Sequence, residues 1–137
     1  MPTRRTFLAS TAAAALASSA IANDESSDSK TNPICVFTKP FNSLTFDELA
    51  KQTAAIGLNG IEAPVRPGGH IEPEAVPDKL PQLVEALRMQ NLKLTVLTSN
   101  INDPSDPVSE SVLRTAAGLG IRHYRMQYFK YDEGKSI

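Results

Sequence analysis

Five side chains in the middle and late parts of the sequence are of types that act on small polar molecules. Glu62 stands in the run GIEAPV (60–65), Arg66 and His70 in the stretch VRPGGH, and Arg125 and Gln127 in the run IRHYRMQYF (121–129). A carboxylate closing an apolar run can accept from hydroxyls or orient a neighbouring base. Its ordinary alternative is a salt bridge to Arg66. The Arg66 guanidinium offers a fork of donors suited to a phosphate or a carboxylate. Two glycines let the backbone turn sharply before His70, and histidine is of a type that polarises an oxygen or shuttles a proton. A solvated or capping loop histidine is the plainer expectation. His70, Glu72 and Glu74 form H-x-E-x-E, but the spacing fits no strong metal-ligand pattern and proline interrupts it, so no metal site is expected there. Lys39, after the first apolar run, is of a type that contacts phosphate and is more often solvated.

These residues need a frame, and the sequence supplies a repeating one. ICVF (34–37) is a short apolar run of the kind buried on both faces of a sheet. Cys35 within it is expected to be buried, and as a single cysteine it excludes an internal disulfide. Thr45 followed by Glu48 is a capping box, after which Phe46, Leu49, Ala50, Thr53, Ala54 and Ile56 recur at helical spacing up to Gly57. GIEAPV is the second strand. Asp78 is expected to cap a helix reaching Met89, with Leu80, Leu83, Val84 and Leu87 on one face. LKLTVLT (92–98) is a third strand. Asp106-Pro107 pairs a cap with a first-turn proline and opens a helix to Leu119, and residues 121–129 form a fourth strand. There Arg125 and Gln127 alternate with Tyr124, Met126 and Tyr128. Gln127 is placed near the top of the strand and Arg125 one step deeper. His123, near the strand's beginning, is expected to be structural.

Each helix closes on Gly or Asn and enters a strand within one or two residues, at AAIGLNGIEA, RMQNLKLTVL and AAGLGIRHYR. Strand starts lie roughly 30 residues apart, the period of a βα unit. Right-handed crossovers make such strands parallel. Periodicity alone leaves an open doubly wound sheet and a closed barrel both possible. The first strand is followed by TKPFNS instead of a glycine-rich phosphate turn, which weighs against a dinucleotide fold.

The sequence begins MPTRRTFLASTAAAALASSAIAND. Arg4 and Arg5 precede a stretch too short and too weakly apolar to hold a membrane span, and Ala20 and Ala22 suit cleavage after residue 22. TRRTFL resembles the bacterial twin-arginine export signal, although the basic residue often found just downstream is missing. The expected organisation is an export signal over 1–22, a disordered polar tether over 23–32 and a domain over 33–137, in a periplasmic or secreted protein. That export route carries folded proteins, which suits an enzyme loaded with a metal before export.

GIEAPVRPGGHIEPE, together with LPQLVEALR and AAGLGIRHYR, resembles the xylose isomerase-like TIM barrels, often described as sugar phosphate isomerases/epimerases. The resemblance covers 34 to about 131. It implies a parallel α/β fold, the N-terminal half of a barrel, and a pocket at the C-terminal ends of the strands. It implies a metal-assisted proton or hydride shift on a sugar or sugar phosphate, with Mn or Mg held by Glu, Asp and His ligands of the last four strands. On that basis His70 and Glu62 are the catalytic candidates, and Arg66, Gln127 and Arg125 the substrate-binding ones. A full barrel takes about 250 residues. The expectation is therefore a fragment without the ligand-bearing half, binding no metal itself, inactive alone, and able to self-associate through open sheet edges.

Charge narrows the partners. The formal net charge is −1, and without residues 1–22 the chain keeps 12 Lys and Arg against 15 Asp and Glu, a net of −3. That is not the basic footprint of nucleic-acid binding. It weighs, with the export signal, against the DNA-repair endonucleases that share this barrel type. A non-catalytic carbohydrate-binding or assembly protein is the other alternative.

Overall fold

A computed structural model describes residues 32–128. The export signal with Arg4, Arg5 and Ala22, nearly all of the tether, and the end of the expected fourth strand lie outside the described residues. Four strands alternate with three helices: β1 (Cys35–Phe37), α1 (Phe46–Ala55), β2 (Gly60–Val65), α2 (Val76–Arg88), β3 (Lys93–Ser99), α3 (Pro107–Gly118) and β4 (Tyr124–Arg125). All neighbours pair in parallel, in the order β1-β2-β3-β4. A doubly wound sheet reverses its strand order at a switch point. This one runs in chain order throughout, as consecutive units of a βα barrel do. The fold is thus a parallel α/β array consistent with half of such a barrel.

Local chemistry accounts for most of the boundaries. The Glu48 amide donates to Thr45 Oγ1 (3.3 Å), while Glu48 Oε2 accepts from the Thr45 amide (2.9 Å), so the expected capping box opens α1. Asp106 accepts from the Ser109 amide (2.8 Å) and caps α3 ahead of Pro107. The three helix-to-strand junctions all turn on a residue of positive φ: Gly57 (76°), Asn91 (57°) and Gly120 (78°). These are the Gly and Asn positions that spacing marks as helix stops, and a left-handed residue there lets orphan carbonyls find amides. β2 has the bounds expected of it.

Four expectations are corrected. Helix α2 begins at Val76, because a 3₁₀ turn over Pro73–Ala75 runs straight into it. Asp78 therefore lies in the first turn, where its charge favours the helix dipole, instead of capping it. Ile56 falls beyond α1 and is exposed. Cys35 is half-buried, since β1 is an edge strand among the described residues. β4 spans only two residues with ladder pairing, Leu97 with Tyr124 and Thr98 with Arg125. Beyond them the backbone leaves the ladder, although the Gln127 amide still reaches the Ile101 carbonyl at 3.2 Å.

The core lies on one side of the sheet. Ile61, Ala63 and Val65 of β2 and Leu97 of β3 pack with Leu49, Leu80, Leu83, Leu87 and Val112 of the helices, all at most 2% exposed. Burying each such side chain contributes about 1.5–3 kcal/mol, so this layer holds the sheet in place. Glu62 and Pro64 alternate with that set and face the other side. A β-bulge decides what joins them there. Ile61 pairs with Leu94 but Glu62 pairs with Val96, leaving Thr95 as an extra residue in β3. The extra residue flips the alternation of β3. Leu97 consequently packs under the helices, and Thr98 comes to the face of Glu62.

Candidate functional site

On the face away from the helices, Glu62, Thr98 and Arg125 form one cluster across three strands. The Thr98 hydroxyl donates to Glu62 Oε1 in a close hydrogen bond. Arg125 Nη2 donates to the same Glu62 oxygen (3.0 Å) and to Thr98 Oγ1 (3.1 Å). The Phe37 ring of β1 lies under the guanidinium, 5.3 Å from Cζ to the ring centroid, a cation–π distance. The Glu62 side chain is 20% exposed and that of Arg125 57%. The pair therefore sits at the boundary between sheet and solvent, where an ion pair orients its members more than it stabilises the fold.

Glu62 is thus the third residue of a six-residue strand, with its partner on β4. The ordinary pairing expected with Arg66 does not occur. Arg66 leaves the end of β2 on a turn closed by the Gly69 amide on the Arg66 carbonyl (2.7 Å) and the His70 amide on the Pro64 carbonyl (3.0 Å). A side chain at position 69 has no room, because a Cβ there would stand 2.5 Å from the Pro64 oxygen and 2.8 Å from the Arg66 oxygen. The Gly68 amide donates to Glu72 Oε1 at 2.9 Å. The VRPGGH motif is accordingly a compact hydrogen-bonded turn, and it sends its two reactive-looking side chains in different directions.

Arg66, Arg125 and Gln127 line one cleft of about 570 Å³ at the C-terminal ends of the strands, together with Thr98, Ser99 and Asn100. Three of the five predicted residues are thereby brought together, and Glu62 joins them through Arg125 and Thr98. His70 is not in that cleft. It lines another of about 460 Å³ beside the start of α1. There its Nε2 meets the Leu44 carbonyl at 3.0 Å, and its ring tilts against Phe46 with centroids 5.3 Å apart. An imidazole nitrogen facing a carbonyl carries the proton and donates it. Nδ1 is buried with no partner among the described residues, as is Asn42 Oδ1. Asn42 Nδ2 donates to the Gly68 carbonyl (3.3 Å), so the loops after β1 and β2 are pinned twice.

The remaining candidates are peripheral. Lys39 is exposed in a 3₁₀ turn, and Glu74 is exposed and away from His70's ring contacts. His123 is exposed, and only its carbonyl is engaged, accepting from the Leu97 amide at 3.1 Å. Among the described residues no three His, Cys, Asp or Glu side chains stand together in a way that could hold a metal ion. Glu62, the one carboxylate of the cluster, is already engaged by Thr98 and Arg125. The described residues by themselves therefore do not fit a divalent ion.

Thr98, Ser99 and Asn100 join the cleft without being marked by residue type. Their signal was positional: a polar triplet closing an apolar strand at the end where parallel folds hold ligands. The bulge at Thr95, which turns Thr98 to the site, has no comparable mark. No family model matches the chain, and no curated protein matches it at a significant level. No helix of the described residues is long and apolar enough to cross a membrane.

Proposed function

We propose that the chain supplies the substrate-holding part of a sugar or sugar phosphate isomerase/epimerase-like barrel. The observation that carries this reading is the Glu62–Thr98–Arg125 cluster beside a polar cleft at the strands' C-terminal ends, the end at which parallel α/β folds place their ligands. The motif resemblance of GIEAPVRPGGH points the same way. Glu62 is the positioning carboxylate, fixing the Arg125 guanidinium; Arg66, Arg125, Gln127 and Asn100 offer donors to sugar oxygens. The TRRTFL start supports export of the folded protein to the periplasm or beyond.

Isomerisation of this kind uses a second carboxylate and ion ligands that the described residues do not bring to the cleft. The expected activity of the chain is therefore binding without turnover. Calorimetric titration of the full chain with a panel of aldoses, ketoses and their phosphates tests the reading, and binding weakened in Arg125→Ala is the expected result. Failure of every sugar in the panel to bind would end it. Assays on ketoses with added manganese are expected to show no product; turnover abolished by Glu62→Gln would overturn the non-catalytic part.

Self-association is a second reading, favoured by the exposed apolar side chains around β4. Tyr124, Met126 and Tyr128 are 45%, 47% and 92% exposed, and β4 is an edge strand among the described residues. Light scattering on the eluting protein would show a discrete dimer if this edge pairs.

A further inference from the structure

We infer that the cleft between β3 and β4 is built for an oxyanion, so that the bound molecule carries a phosphate or a carboxylate. The inference rests on the sugar-binding reading and narrows its substrate class. Among the described residues the lining of this cleft holds two guanidiniums, Arg66 and Arg125, and no carboxylate. The chain as a whole carries slightly more acidic than basic residues, so the local excess of positive charge runs against the composition. The amide oxygens of Asn100 and Gln127 give the lining neutral acceptors, but its two formal charges are both positive, and a neutral sugar would leave that of Arg66 uncompensated.

The hydrogen bonds show which groups remain for a ligand. Ser99 Oγ donates to the Arg125 carbonyl (3.0 Å) and accepts from the Ile101 amide (3.3 Å). Thr98 Oγ1 donates to Glu62 and accepts from Arg125. Both hydroxyls are thus committed to holding β3 and β4 in register. Arg125 engages Glu62 and Thr98 through Nη2, which leaves its other N–H groups uncommitted among the described residues while Phe37 supports the plane of the guanidinium. Arg66 forms no ion pair among the described residues. Two planar forks on either side of the β3 end, one anchored and one without an ion pair among the described residues, suit an anion with several acceptor oxygens. Glu62 offsets part of the charge of Arg125, which makes Arg66 the larger contributor.

The test is titration of the full chain, at low and at physiological salt, with glucose, glucose 6-phosphate, glucuronate and inorganic phosphate. Calorimetry reads all four, and phosphorus NMR reads the two phosphates. At least one anionic sugar is expected to bind tenfold or more tightly than glucose and to weaken as salt rises. Arg66→Ala is expected to reduce that affinity at least tenfold, with Arg66→Lys recovering part of it and thermal melting confirming that each variant is folded. The two sugar anions separate a phosphate source from a carboxylate source. If inorganic phosphate binds as tightly as the sugar phosphate, the oxyanion site stands and the sugar reading falls. If glucose binds as well as the anionic sugars and Arg66→Ala changes nothing, the sugar reading stands and the oxyanion site falls. Absence of binding by all three anions also overturns it.

Discussion

Two clefts among the described residues hold the candidate side chains, and they differ in what those residues are already doing. In the cleft beside α1, His70 spends Nε2 on the Leu44 carbonyl and its ring face on Phe46. In the cleft between β3 and β4, the Arg66 guanidinium has no ion-pair partner among the described residues, and Arg125 keeps part of its fork uncommitted. The difference teaches that residue type nominates a site but hydrogen-bonding capacity still open to a ligand separates the candidates, since the remaining His70 nitrogen, Nδ1, is buried. A histidine after two glycines looks more reactive in sequence than an arginine before a proline. In the fold the histidine is a brace and the arginine is available.

The comparison can be broken most forcefully at the turn shared by both clefts. Gly69→Ala forces a Cβ against the Pro64 and Arg66 carbonyl oxygens and should cost near the upper end of the ~1–3 kcal/mol typical of overpacking. Because Arg66 and His70 flank that turn, urea denaturation should show the loss and calorimetry should show anion binding weakened with it.

His70→Ala separates the clefts. It strands the Leu44 carbonyl and removes the Phe46 contact, so stability should fall by about 1–3 kcal/mol while anion affinity in the folded protein changes less than twofold. Loss of binding without loss of stability would invert the assignment. Thr45→Ala, next to the same cleft, should cost about 1 kcal/mol through the lost cap and leave binding alone.

Glu62→Gln sharpens the other side. It keeps the shape at a largely solvent-screened pair, so the change in stability should stay within ~1 kcal/mol. Removing the negative charge beside Arg125 should tighten anion binding severalfold and steepen its salt dependence. Unchanged affinity would mean that Arg125 does not take part.

The smallest effect is a pH dependence at the brace. The Thr45 hydroxyl, and then the Thr45 amide, donate to Glu48 and hold its carboxyl below the usual range. A lowered folded-state pKa gives stability that is present above the ordinary carboxylate pKa and lost as pH falls through the depressed one. Stability followed by circular dichroism should therefore fall more steeply on acidification in the wild-type chain, and Thr45→Ala should flatten that decline.

Much of this architecture is legible in the residues, because the informative signals are local. The capping box at Thr45, the Asp106-Pro107 start, and the Gly57, Asn91 and Gly120 stops each depend on a few neighbouring backbone groups, and each is where spacing places it. The GIEAPV strand is bounded by its own prolines and glycines. What escaped depends on pairing between distant segments. Whether Thr98 or Leu97 faces Glu62 is set by one extra residue at Thr95, a matter of register with β2. Whether Glu62 meets Arg66 or Arg125 depends on the order of strands across the sheet. The extent of β4 depends on the backbone from Arg125 onward, which leaves regular pairing and bonds instead to the Ser99 hydroxyl and the Ile101 carbonyl. For the same reason the candidate residues of the arginine cleft could be nominated singly, whereas their convergence required the fold.

The placement of the aromatic side chains gives the protein an optical reporter of its own. The sequence contains no tryptophan and three tyrosines, Tyr124, Tyr128 and Tyr131, and Tyr128 lines the arginine cleft. Tyrosine emission, excited beyond the absorption of phenylalanine, therefore arises from the stretch that begins at β4, while the helical layer contributes none. A label-free fluorescence titration would register an event at that rim and remain silent to changes around His70.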